Sequence, residues 1–195
     1  MTNRLMALLE ELGLCCDTTI EPGHRSVRGL VETESSVGSI PGYRTVPRHP
    51  YRPSLRNFRR PGRFAKRSIW ELPVSTGRPR GAIQGLSHPP PRCLAMTLGL
   101  PFPAMQQLLD QNLSRGTRPG IVAACRSDVT TDQFNREQFE LFLSYLAEHP
   151  LRDRFVFSTP IETVRLMVPD AAIAVPVSGI GSHCRRSGPR SEQPI

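Results

Sequence analysis

One apolar run with an acid inside it constrains this chain most: Ile69-Trp70-Glu71-Leu72-Pro73-Val74-Ser75-Thr76. Its length and composition predict a buried strand over 69–76. A carboxylate inside such a strand is expensive to desolvate unless a partner meets it. The basic stretch just before the run makes a nearby arginine the expected partner of Glu71.

Helical and strand patterns alternate around this run. Leu5, Leu8, Leu9 and Leu12 recur at helical spacing, and Gly13 follows as a stop. Residues 14–20 then read as a short strand rich in β-branched side chains. Residues 24–68 carry no clear period, and 77–100 read as loop, stiffened by Pro89-Pro90-Pro91. Strand candidates inside the first stretch are 29–32 and 43–46. A helix is predicted over 102–113 with Met105, Leu108, Leu109 and Leu113 on one side. A strand over 121–125 follows. Asn135 and Gln138 are spaced as a capping box for a helix running to about Glu148, with Phe139, Phe142, Leu143 and Leu146 inward. Residues 155–157 read as a strand, and Thr159-Pro160-Ile161-Glu162 opens a last helix that ends near Met167. The order predicts α/β architecture with parallel-sheet character. One domain is expected over 1–168, loop-rich at 24–68 and 77–100, followed by a disordered tail over 169–195.

The chain has 195 residues and a formal charge of +8, and of its 25 basic residues only Lys66 is a lysine. A basic chain invites a nucleic-acid reading. The interval 44–80 carries most of the signal, because arginines alternate there with Tyr51, Phe58, Phe64 and Trp70. Arginine in place of nearly every lysine points instead to coding bias. A loop pinned to the domain by its aromatics is the plainer account of 44–80. The cysteines are Cys15, Cys16, Cys93, Cys125 and Cys184, an odd set without a C-x-x-C pair, which reads as buried thiols in a reducing compartment. A cytoplasmic location is expected, since the N-terminus lacks a basic end followed by an apolar run. No stretch is long and apolar enough for a membrane span.

Chemistry-bearing clusters are sparse. His24, His49, His88, His149 and His183 show no metal-ligand spacing and read as surface histidines. There is no nucleophile elbow and no phosphate loop preceded by a strand. Acids at strand ends remain: Asp17, Glu71 and Asp128. Because α/β folds bind ligands at the carboxyl ends of strands, Asp17 and Asp128 are candidates for one cleft, with Arg126 able to pair with either. A structural salt bridge explains them equally well.

The ordered pieces resemble a family. The stretch from Leu8 to Gly23, with Gly13, Asp17 and Pro22-Gly23, is similar to the helix–glycine–strand–Asp segment of polysaccharide deacetylases with the NodB-type fold. Tyr51-Arg52-Pro53-Ser54 followed by Ile69-Trp70-Glu71-Leu72-Pro73-Val74-Ser75 resembles a later segment of the same family. His149-Pro150 and residues 155–162 resemble its closing elements. The resemblance spans roughly residues 5–168 and implies an incomplete NodB-like (β/α) barrel with a long irregular excursion. In the intact family it implies removal of an acetyl group from a polysaccharide or other glycan, by water activated on a divalent metal such as zinc. The family's Asp-Asp pair, H-x-x-x-H ligands and Arg-x-Pro motif precede the matched region. Its late histidine is missing after 121–125, where Arg126-Ser127-Asp128 follows instead. The resemblance therefore carries over only Asp17 and Glu71, neither of them a metal ligand. The expectation is a deacetylase-like domain without its metal site, with no cofactor in this chain and no activity alone. A basic nucleic-acid-binding protein using 44–80 is the alternative.

Overall fold

A computed structural model describes residues 2–25, 27–28, 39–40, 42–86, 92–116, 119–125 and 131–169. The chain is mixed α/β. Helices α1 (Asn3–Glu11), α2 (Phe102–Leu113), α3 (Gln133–Glu148) and α4 (Pro160–Met167) surround short strands β1 (Cys16–Asp17), β2 (Val27–Arg28), β3 (Ser39–Ile40), β4 (Trp70–Glu71), β5 (Thr76–Gly77) and β6 (Leu94–Ala95). Among the described residues the strands form three two-stranded sheets, none of them closed: β1 with β4 in parallel, and β2 with β3 and β5 with β6 antiparallel. The strand candidate 29–32, the site candidates Arg126 and Asp128, and the expected tail from 170 onward lie outside the described residues.

The run 69–77 is the spine. On one side it meets the first strand: Trp70 N donates to Cys15 O, Leu72 N to Asp17 O and Val74 N to Ile20 O, each at 2.9 Å. On the other side Tyr51 and Glu71 exchange backbone hydrogen bonds at 3.0 and 2.9 Å. Further along, Ser75 N donates to Val122 O and Met96 N to Ser75 O. The interval 121–125 also carries a parallel bridge between Thr97 and Ala124. Ladder bonds thus satisfy the spine's backbone although regular strand geometry is brief.

Side chains leave the spine alternately, as a pleat requires. Ile69 joins one core with Met6, Ile20, Tyr43, Val46, Tyr51 and Phe58. Trp70 and Leu72 join another with Val164 of α4. A third is built from Met96, Met105, Leu108, Leu109 and Phe142. The period-free stretch is therefore a core contributor: Tyr43, Val46, Tyr51 and Phe58 are buried. Residues 43–46 form a turn instead of a strand.

Several local expectations change. Helix α1 inserts Met6, while Leu5, Leu8 and Leu12 face outward, Leu12 being 68% exposed. Only Leu9 of the predicted leucine stripe packs against the core. Helix α3 is capped by Asp132, whose carboxylate accepts from Asn135 N at 3.0 Å. Gln138 reaches across instead and accepts from Phe102 N at 2.8 Å, capping α2. Phe142 is buried and Leu146 packs beside it, but Leu143 is exposed. Residues 155–157 form no strand, and Val156 and Phe157 are exposed. The Thr159–Glu162 capping box of α4 forms as read from the sequence.

Two glutamines dock α2 onto the chain leaving β5. Gln111 accepts from Arg78 N and donates to Arg78 O, and Gln107 does the same with Arg80. One helical turn of four residues rises about 6 Å. Two residues of extended chain advance about 6.6 Å. That match lets side-chain amides mimic a neighbouring strand.

Candidate functional site: a buried carboxyl pair

Asp17 and Glu71 are brought together by the β1–β4 register, in which Cys16 lies opposite Trp70 and Asp17 opposite Glu71. The pleat sends both carboxyls to the same face of the pair. Glu71 is 0% exposed and Asp17 9% exposed. Asp17 Oδ2 accepts a hydrogen bond from Thr19 Oγ1 at 2.8 Å. Neither carboxyl oxygen of Glu71 has a hydrogen bond of ordinary geometry among the described residues. Burial first, and then the negative charge of Asp17, push Glu71 up to about 10. Glu71 is therefore a neutral acid at physiological pH.

The expected arginine partner for Glu71 is not what the fold supplies. Arg67, the closest upstream arginine, is buried and turns to α1: Nη1 donates to Glu10 Oε2 at 2.7 Å and Nη2 to Asn3 O at 2.9 Å. Glu10 Oε1 accepts from Ser68 Oγ at 2.8 Å and from the Ser68 and Ile69 backbone N–H groups. Burial alone would raise the Glu10 pKa, but these hydrogen bonds together hold it below the usual value. The acid that neutralises the arginine at the mouth of the spine is thus in the first helix. Its distance in sequence hid it.

The remaining thiol and imidazole groups are dispersed. Cys16 is pushed up to about 12, by burial first and then by its acidic neighbours. Cys15, Cys16 and Cys93 are free thiols, Cys125 is exposed, and Cys184 lies outside the described residues. His149 is a correction to the surface reading: it is buried at the end of α3. Its Nδ1 accepts from Leu151 N at 3.1 Å, and its ring meets Tyr145 edge-on at 5.3 Å. His24 pairs with Glu21 at 3.2 Å, and His49 is exposed. His88 and His183 lie outside the described residues.

Among the described residues the Asp17–Glu71 pair does not make a zinc-type donor set. Among the described residues no group of three or more His, Cys, Asp or Glu side chains is placed to hold a metal. The Asp17–Glu71 pair offers a neutral acid in a dry site, and the neighbouring Cys16 thiol keeps its proton.

The arginines of 44–80 do not form one track. Arg67 is committed to Glu10, and Arg52 lies 5.5 Å from the Trp70 ring centroid and donates to Ser68 O. Arg48 donates to Thr76 O at 2.9 Å, an acceptor it shares with Arg115 at 2.7 Å. Tyr51, Phe58 and Trp70 are buried, and only Phe64 of the interleaved aromatics is exposed. Among the described residues no helix is long and apolar enough to cross a membrane.

No protein-family model, curated protein or solved structure matches this chain.

Proposed function

We propose that this chain is a polysaccharide deacetylase-like domain that keeps the family's strand framework and does not itself hydrolyse acetyl groups. One observation carries the reading. The two residues that the resemblance transfers, Asp17 and Glu71, are far apart in sequence and stand directly opposite each other in parallel register. A parallel pair entered from a preceding helix is also the local geometry a (β/α) arrangement requires. On this reading the spine and the ties from Ser75 to Val122 and from Met96 to Ala124 are arcs of an incomplete barrel. The partner class is a glycan.

The pair's chemistry fits a framework role. Glu71 is sealed from solvent and keeps its proton, so it neither ligates a cation nor shuttles protons at neutral pH. The test combines zinc titration by calorimetry with an acetate-release assay on an acetylated chito-oligosaccharide. The expected result is neither a tight zinc site nor acetate. One tight site per chain with accompanying acetate release overturns the inactive reading. Failure of the chain to bind acetylated oligosaccharide at all, by ligand-observed NMR, counts against the glycan assignment.

A further inference from the structure

An open polar cleft of about 430 Å³ is lined by Arg25, Arg44, Arg59 and Arg60, together with Thr45 and Asn57. Its arginines come from separate segments. Arg25 follows the Pro22-Gly23 turn, Arg44 lies in the turn at 43–46, and Arg59 and Arg60 follow buried Phe58. No acid lines the cleft, and among the described residues none of the four guanidiniums makes an ion pair. The Nε of Arg59 is buried without an acceptor among the described residues, and its guanidinium stands 5.3 Å from the Phe58 ring centroid. Asn57 Oδ1 accepts from Arg59 N at 3.1 Å and Asn57 O from Arg60 N at 3.1 Å, which fixes the backbone carrying two of the four.

Four cations around one cleft repel one another unless an anion joins them. Guanidinium groups present planar forks of donors that match phosphate oxygens in bidentate fashion. The cleft volume falls in the small-ligand range of about 300–1,000 Å³, more room than a single orthophosphate needs. No exposed aromatic lines it. A sugar ring or an unstacked base has no platform there. Arg48, Arg52 and Arg67 of the basic interval are engaged elsewhere, which sets the four cleft arginines apart from them. We propose that this cleft is a binding site for a compact oligophosphate, a pyrophosphate-type group either free or carried on a larger molecule.

The test is calorimetric titration of the full chain with inorganic pyrophosphate at low salt. One site per chain is expected, with orthophosphate clearly weaker. The double variant R44Q/R60Q should weaken pyrophosphate at least about tenfold. R25Q/R59Q, which removes the other two cations, should do the same. The equally charge-reducing control R78Q/R80Q, outside the cleft, should change it by no more than about twofold. Unchanged thermal melting of each variant confirms that it is folded. Absence of saturable pyrophosphate binding, equal affinity for orthophosphate, or equal weakening by the control overturns the proposal. A nucleoside diphosphate that competes with pyrophosphate and is weakened by R44Q/R60Q supports it and identifies a carried pyrophosphate group. Pyrophosphate binding that is unaffected by both R44Q/R60Q and R25Q/R59Q places the anion site elsewhere and overturns it.

Discussion

Asp17 and Glu71 face each other across a parallel strand pair, and the charge of the first adds to burial in keeping the second protonated. An arginine partner would make Glu71→Gln costly. A neutral Glu71 makes it cheap, because glutamine presents nearly the same uncharged shape. The pH dependence follows from linkage. Glu71 is held near 10 in the folded state against about 4.5 in the unfolded chain, so unfolding releases a proton at intermediate pH. Stability from this group is full below about pH 4.5 and is lost as pH rises toward about 10. Denaturant titrations from pH 6 to 9 should show wild-type stability falling with a slope approaching about 1.4 kcal/mol per pH unit. Glu71→Gln should flatten that slope and be the more stable protein at the alkaline end. Parallel slopes for the two proteins would sink the assignment of a protonated Glu71.

Arg67 and Glu10 form the opposite case, an ion pair between a buried arginine and a half-buried glutamate, with further bonds from Arg67 Nη2 to Asn3 O and from Ser68 Oγ to Glu10 Oε1. Arg67→Met removes the bonds to Glu10 and Asn3 but leaves Glu10 its Ser68 and Ile69 donors, so it should destabilise by about 1.5–3 kcal/mol. Arg67→Lys should recover little of this, since one ammonium cannot reach Glu10 Oε2, Asn3 O and Leu55 O together. Urea midpoints read both variants. Full recovery by lysine would mean that charge alone, and not the planar fork, clamps α1.

The sequence shows the long elements and misses the joints between them. Helices α2 and α4 follow from apolar spacing and the Thr159–Glu162 box, because those signals act within one turn. Met6 displaces the leucine stripe because the core lies on its side of α1, which spacing alone does not reveal. Tyr43, Tyr51 and Phe58 enter the core through turns and the Tyr51–Glu71 bridge, contacts with no period to read. Asp17 and Glu71 are each legible as acids at strands, but their pairing is a matter of register between distant segments. The arginine cleft was hidden for the same reason: Arg25 falls outside the basic interval that contains Arg44, Arg59 and Arg60.

Cysteine reactivity separates environments that sequence adjacency blurs. Cys16 is held up to about 12 by burial and then by its acidic neighbours, whereas Cys125 is exposed. At pH 7.5 iodoacetamide should modify Cys125 well before Cys16, with peptide mass mapping as the readout, and Cys16 should become reactive only in denaturant. Early labelling of Cys16 in the native protein would contradict its packing beside Trp70 and Leu72.

Gly77 marks where α2 presses onto the spine. A Cβ built there would lie 2.6 Å from Leu108 Cδ2 and 2.7 Å from Gln111 Oε1. Leu108 is fully buried among Met105, Leu109 and Met96, so it has no space into which to withdraw. Gln111 is held by its two bonds to the Arg78 backbone, and moving it breaks the side-chain ladder that docks the helix. Overpacking of this kind costs about 1–3 kcal/mol, so Gly77→Ala should lower the urea midpoint accordingly. Adding Leu108→Ala opens space on one side of the new methyl group but leaves its own cavity, so the double variant should be less destabilised than the sum of the singles. Strict additivity would show that α2 does not rest on Gly77. Protection of the Arg78 and Arg80 amides from hydrogen exchange should fall in Gly77→Ala, because both donate to glutamines of the displaced helix.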